Sequence, residues 1–206
     1  MQLSERQNDA LTELINIAFS RTAASLSELT GHRVVLDVPK VAIYPVNELA
    51  ARLAAFLPFD LASVHQVFTG PLTGDALLLL NYDGAVSLTE LLTDEYLRSH
   101  RLNESAREVL TEVGNILLNA CLGVFGNLLQ VRISFSVPRL HLETLGSLLN
   151  SLIIDKEELR YALVVYTAFR VRDSAISGYL VIALSVVSLD RLIQEVEKWE
   201  ENQGNL

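Results

Sequence analysis

DALTELIN, residues 9–16, and EVLTEVGN, residues 108–115, share a Leu-Thr-Glu core, and in each an asparagine follows the glutamate three positions on: Glu13 and Asn16, then Glu112 and Asn115. Pro39 lies 23 positions after Asn16, and Pro138 lies 23 positions after Asn115. A spacing kept at three places marks an internal repeat, and a repeat decides the fold before any single element does.

Working outward, the first copy predicts a long helix from Glu5 to about Leu29, closed by Thr30-Gly31. A β-rich run HRVVLDVPKVAIYP follows, then a short helix near Val46 to Phe56, a strand pair at SVHQVFTG and DALLLLNY, and a helix GAVSLTELL. The second copy predicts a helix from about Ala106 to Leu129, strands in QVRISFSVPRLHLE, and a short connecting element at TLGSLLNS. The strands LRYALVVYTAFRV and SGYLVIALSVV and a last helix SLDRLIQEVEKWEE complete it, and the tail NQGNL reads as frayed. Ser4 with Gln7 and Ser105 with Glu108 have the spacing of capping boxes at the two helix starts.

The expected fold is α/β with a pseudo-twofold repeat: an about six-stranded sheet with the two long motif-bearing helices packed on one face. The expected organisation is one domain, 1–206, made of two homologous halves, about 1–100 and 101–206. TDEYLRSHRLNES between them is merely polar and has no linker character.

At about 100° per residue, the first helix gathers Leu11, Leu14, Ile15, Ala18, Phe19, Thr22, Leu26 and Leu29 on a core face. Asp9, Glu13, Asn16 and Ser20 fall in a polar stripe about 60° wide opposite it. In the second helix Leu110, Val113, Leu117, Cys121, Val124 and Leu128 face the core, and Glu108, Glu112, Asn115 and Asn119 form the stripe. Taken singly, such side chains are what any amphipathic surface helix displays, and capping alone would account for Glu108. Asparagine, however, is a poorer helix former than Glu, Lys or Gln, so a solvated mid-helix position has no structural reason to carry it. Gly114 reads as a close-packing point that costs the helix about 1 kcal/mol relative to alanine. Pro39 and Pro138, inside β-rich runs, are restricted to strand starts, edges or bulges.

Composition narrows the function. Half of the 206 residues are hydrophobic and a fifth are charged, which suits a globular protein with a sizeable core. The apolar stretch Tyr179 to Leu189 is too short for a membrane span, which requires about 20 residues. MQLSERQND lacks the pattern of an export signal, so the cytoplasm is expected, with no membrane association. A net charge of −9 argues against nucleic acid as partner. The single Cys121 and the dispersed His32, His65, His100 and His141 give no disulfide and no metal-ligand spacing. There is no P-loop, and Cys121 is followed by LGVFG without the arginine of a cysteine-phosphatase loop.

The set Asp9, Glu13, Asn16 and Pro39, with Glu112, Asn115 and Pro138, resembles the signature of the CheC, CheX and FliY family of chemotaxis phosphatases: Asp or Ser, three residues, Glu, two residues, Asn, twenty-two residues, Pro. The first copy matches throughout. The second departs only at Glu108, which stands where the family has Asp or Ser. The resemblance covers essentially the whole chain. It implies hydrolysis of the phosphoaspartate on a CheY-type response regulator at two sites, with Asn16 and Asn115 orienting the attacking water and Glu13 and Glu112 engaging a lysine of the regulator. It implies no cofactor of the chain's own, the Mg²⁺ being carried by the regulator, and a monomer, since the internal repeat supplies the second site. The receptor deamidase CheD is implied as a second partner. The alternative reading is an adaptor that binds and regulates CheD, with phosphatase activity secondary.

Overall fold

Helix α1 (Glu5–Thr30) begins with a complete capping box. The Ser4 hydroxyl accepts from the Gln7 backbone N–H at 3.1 Å, and the Ser4 N–H donates to Gln7 Oε1 at 2.8 Å. It ends at Gly31, whose φ of 69° lies in the left-handed region that glycine adopts without penalty and whose N–H donates to the Ser27 carbonyl. Such caps satisfy backbone groups that a helix end otherwise leaves unpaired. The computed structural model describes residues 3–54, 57, 60–93, 96–97, 101–128, 130–148, 159–171 and 174–203.

After α1 come β1 (Val34–Leu36), β2 (Lys40–Pro45), α2 (Val46–Ala54), β3 (Asp60–Thr69), β4 (Gly74–Asn81) and α3 (Tyr82–Thr93). The chain continues with α4 (Glu104–Leu128), β5 (Ser134–Phe135), β6 (Arg139–Thr144), a helical turn at 145–148, β7 (Leu159–Val171), β8 (Ser174–Ser185) and α5 (Val186–Gln203). The expected connecting element at 144–151 is seen only as far as that turn, and the tail beyond Gln203 and the Leu29 side chain lie outside the described residues.

Among the described residues eight strands join one sheet through antiparallel ladders, in the order β1-β7-β8-β4-β3-β5, with β2 also on β7 and β6 also on β3. The count of eight reconciles with the expected six. β1 and β2 lie end to end along β7, and β5 and β6 lie end to end along β3, so each border of the sheet is one strand interrupted once. The interruptions fall at Pro39 and Pro138. Leu36 opposes Phe169 and Lys40 opposes Tyr166, so residues 37–39 face only 167–168. Phe135 opposes Phe68 and Arg139 opposes His65, so residues 136–138 face only 66–67. One extra residue on a border strand is a bulge, where a residue without an N–H is tolerated.

The sheet is buried on both faces at its centre, and Leu77, Leu78, Leu79 and Leu80 of β4 are all inaccessible. On one face α1, α3, α4 and α5 pack over Val64, Phe68, Leu78, Val165, Phe169 and Ile182, among others. On the other face Val46, Leu49 and Leu53 of α2, with Leu145 and Leu148, cover Leu61, Leu77, Leu79, Val164 and Val181. The two long helices therefore lie together on one face, as expected. Of the described residues in the expected core stripes, all are buried except Val124 and Leu128, which are partly exposed.

Among the described residues α4 is the one helix long and apolar enough to cross a membrane, with a mean hydropathy of 1.5 over its best window. Leu110, Val113, Leu117, Leu118, Cys121, Leu122 and Phe125 spend that apolar character on the core.

One local expectation is corrected. α4 starts at Glu104, capped by Asn103, whose Oδ1 accepts from the Ala106 N–H at 2.8 Å; Ser105 is already inside the helix. Asn103 is as good a cap as serine and stands two residues earlier. Ser105 and Glu108 thus form no capping box, and Glu108 is exposed, one turn before Glu112.

Candidate functional site

On α1, Asp9, Glu13 and Ser20 are exposed and Asn16 is half-buried. On α4, Glu108 and Glu112 are exposed and Asn115 and Asn119 are half-buried. In each helix the carboxylate therefore reaches into solvent, while the carboxamide one turn later rests partly against protein. This follows from the periodicity: Leu14, Ile15, Ala18 and Phe19 bury one side of α1, and Asn16 sits at the margin of that side.

The carboxamides differ in their partners. Asn119 Nδ2 donates to Asn115 Oδ1 at 2.8 Å. In α1 the hydroxyl of Ser20, four residues after Asn16, donates back to the Asn16 backbone carbonyl at 2.9 Å.

Each proline bulge is pinned at the residue two before the proline. Asp37 donates its N–H to the Ala168 carbonyl at 3.0 Å, and its own carbonyl accepts from Thr167 Oγ1 at 2.9 Å. Ser136 donates its N–H to the Val67 carbonyl at 2.9 Å, its carbonyl accepts from Gln66 Nε2 at 3.0 Å, and its hydroxyl accepts from the Val67 N–H at 2.9 Å. Side chains of the neighbouring strand thus supply the donors that the bulge takes from the ladder. The first bulge has an extra clamp, an Arg170 guanidinium gripping both Asp37 oxygens, with Nη2 to Oδ2 at 2.8 Å. The hydrogen bond from Arg170 holds the Asp37 carboxyl below the usual carboxylate range, against a smaller opposing effect of desolvation.

Between each pinned residue and its proline stands a valine turned outward: Val38 is 71 % exposed and Val137 is 81 % exposed. A basic residue follows each proline, Lys40 and Arg139, both exposed. These flanking features were missed in the sequence, although the repeated Val-Pro-Lys and Val-Pro-Arg could have signalled them. Among the described residues no group of three or more His, Cys, Asp or Glu is placed to hold a metal. Cys121 is fully buried, which pushes its thiol pKa far up.

No family model matches the chain. It is 25% identical over 170 residues to the CheY-P phosphatase CheC of Bacillus subtilis, an alignment covering 81% of each protein. The chain is thus similar to members of the CheC, FliY and CheX family. Another relative in it, the flagellar motor switch phosphatase FliY of B. subtilis, is 24% identical over 142 residues, which are 68% of this chain and 36% of FliY. In fold, the chain is similar to the crystal structure of Thermotoga maritima FliY, with a TM-score of 0.75, 20% identity and coverage of 96% of this chain and 99% of that one. Both of these B. subtilis relatives are named as phosphatases, CheC for CheY-P and FliY for the flagellar motor switch.

Proposed function

We propose that this protein hydrolyses the phosphoaspartate of a CheY-type response regulator at two sites, one on α1 and one on α4. The observation that carries the reading is the paired placement of Glu13 with Asn16 and of Glu112 with Asn115. In both pairs an exposed carboxylate lies one helical turn from a half-buried carboxamide, on a helix whose other side is core.

The chemistry suits these residue types. An acyl phosphate is a reactive mixed anhydride, so a catalyst has chiefly to place a water in line with the bond to be broken. Water oxygen forms a bond to phosphorus, the phosphorus–oxygen bond to the aspartate breaks, the carboxylate leaves with that electron pair, and the water's protons depart with inorganic phosphate or to solvent. A neutral carboxamide both donates and accepts hydrogen bonds, so Asn16 and Asn115 can orient the water without adding negative charge near the phosphoryl group. Glu13 and Glu112, exposed on the same stripes, can meet a lysine of the regulator and draw it from the phosphate. The regulator brings the Mg²⁺ that neutralises phosphoryl charge, and this chain supplies no cofactor.

The resemblance to the CheC, FliY and CheX family also supports CheD as a second partner, a monomeric state and a cytoplasmic location, each a proposal for this chain; a pull-down with CheD tests the first. The catalytic reading is tested by phosphate release from a labelled regulator. Asn16→Ala and Asn115→Ala are each expected to keep part of the rate, and the double variant to lose about a hundredfold or more, the scale of losing positioned water activation. A double variant with the wild-type rate would overturn it.

A further inference from the structure

We propose that Asn119 is a positioning residue for the second site, holding the Asn115 carboxamide in one orientation while the first site has no equivalent. The inference rests on the phosphatase reading above and deepens it. The terminal torsion of an asparagine is broad and roughly two-fold, so a free carboxamide presents its oxygen and its nitrogen to a given point with similar ease. The two ends are not interchangeable to a water molecule, one accepting and the other donating. The 2.8 Å bond from Asn119 Nδ2 claims one lone pair of Asn115 Oδ1. It leaves the Asn115 Nδ2 hydrogens and the second Oδ1 lone pair unclaimed, and a carboxamide fixed in this way meets its water without first being ordered.

Helix stability does not account for the asparagine at 119. Among the described residues its own Oδ1 is buried with no hydrogen-bond partner, and alanine there would be a better helix former and leave no orphaned acceptor. In α1 the corresponding Ser20 turns its hydroxyl back onto the Asn16 main chain. The Asn16 carboxamide makes no hydrogen bond among the described residues. The repeat has therefore kept its reacting pair twice and its support once, and the second site is the better preorganised of the two.

The test uses the full chain in single-site backgrounds, with phosphorylated cognate regulator as substrate and the urea midpoint recorded for every variant. With Asn16→Ala leaving the second site alone, Asn119→Ala is expected to lower kcat about three- to tenfold, the range one net hydrogen bond supplies, with KM unchanged. Asn119→Gln is expected to restore part of that loss, because it retains the amide. With Asn115→Ala leaving the first site alone, Ser20→Asn is expected to raise kcat by a similar factor. Because residue 20 is exposed, this arm does not depend on repacking α4. An Asn119→Ala variant with unchanged kcat, or with a raised KM alone, overturns the proposal, as does a Ser20→Asn variant without gain. Full activity in the Asn16→Ala, Asn115→Ala double variant would instead overturn the phosphatase reading itself.

Discussion

The backbone of Gly114 lies against Val64 so closely that a Cβ built on the glycine would stand 2.6 Å from the valine's Cβ and Cγ1. The distance is far inside van der Waals contact, and Val64 is a stiff β-branched residue held in β3, so it has little room to yield. Gly114→Ala is expected to gain about 1 kcal/mol of helix propensity and to lose about 3 kcal/mol to overpacking. The net is a destabilisation of about 2 kcal/mol, read as a lower urea midpoint at unchanged slope. Because Gly114 immediately precedes Asn115, the second site is expected to lose activity and the first to keep it, measurable in the two single-site backgrounds.

The Arg170 clamp on Asp37 predicts a pH dependence with a defined sign. The carboxyl is depressed in the folded state, so the clamp contributes its full stabilisation above the ordinary carboxylate pKa, about 3.9. That contribution is lost as pH falls through the lower folded value. Between pH 5 and pH 3 the wild type is expected to lose stability more steeply than Arg170→Ala, in urea titrations at each pH. At neutral pH Arg170→Ala is expected to slow the first site and spare the second, since only the first bulge carries this clamp. Equal slowing of both sites would separate the clamp from the site.

Val38 and Val137 are too exposed to stabilise the fold, and each directly precedes the proline of its copy of the repeat. If the regulator covers them, Val38→Asp and Val137→Asp are each expected to weaken its binding about fivefold at the altered site. This corresponds to about 1 kcal/mol from partial burial of one aliphatic side chain. The urea midpoint is expected to stay at the wild-type value. Titration of phosphorylated regulator by surface plasmon resonance checks it, and unchanged affinity in both variants removes the valines from the docking surface.

Cys121, buried and with its thiol pushed up by that burial, is expected to be inert toward a disulfide reagent in the native protein. In denaturant it is expected to react at once, and the rate of labelling in water to follow the opening of α4. Rapid labelling of the native chain would contradict the packing of that helix against the core.

Much of the fold was legible because the repeat carries both periodicities in full. The stripes of α1 and α4 read correctly from Leu11 to Leu26 and from Leu110 to Cys121, and the run containing Leu77–Leu80 read as a strand. The two prolines read as restricted positions, yet their effect on the sheet did not. Which strand a border segment pairs with is a long-range choice that local pattern leaves open, so the split of each border strand emerged only with the ladders. The α4 cap was misread because Asn103 and Ser105 are both good caps, and only the position of the first helical turn distinguishes them. The side-chain partners of the candidate asparagines were hidden for a similar reason. Asn119 and Ser20 occupy the same place on their helices, and the choice between a bond to a neighbouring amide and a bond to the main chain belongs to side-chain geometry.

The order of strands in the sheet has a further effect on how the molecule comes apart. The first hairpin, β3 with β4, is flanked on its outer side by β5 and β6, which come from the later half of the chain. The second hairpin, β7 with β8, is flanked by β1 and β2, from the earlier half. Each half thus wears the other's selvedge. Severed near residue 101, either piece would carry a hairpin with both edges bare, since β4 also pairs with β8, and border segments with nothing to lie along, all open to pairing with stray chains. The two proposed sites are accordingly expected to be lost together when the sheet unfolds globally, while a local change at one of them leaves the other in place.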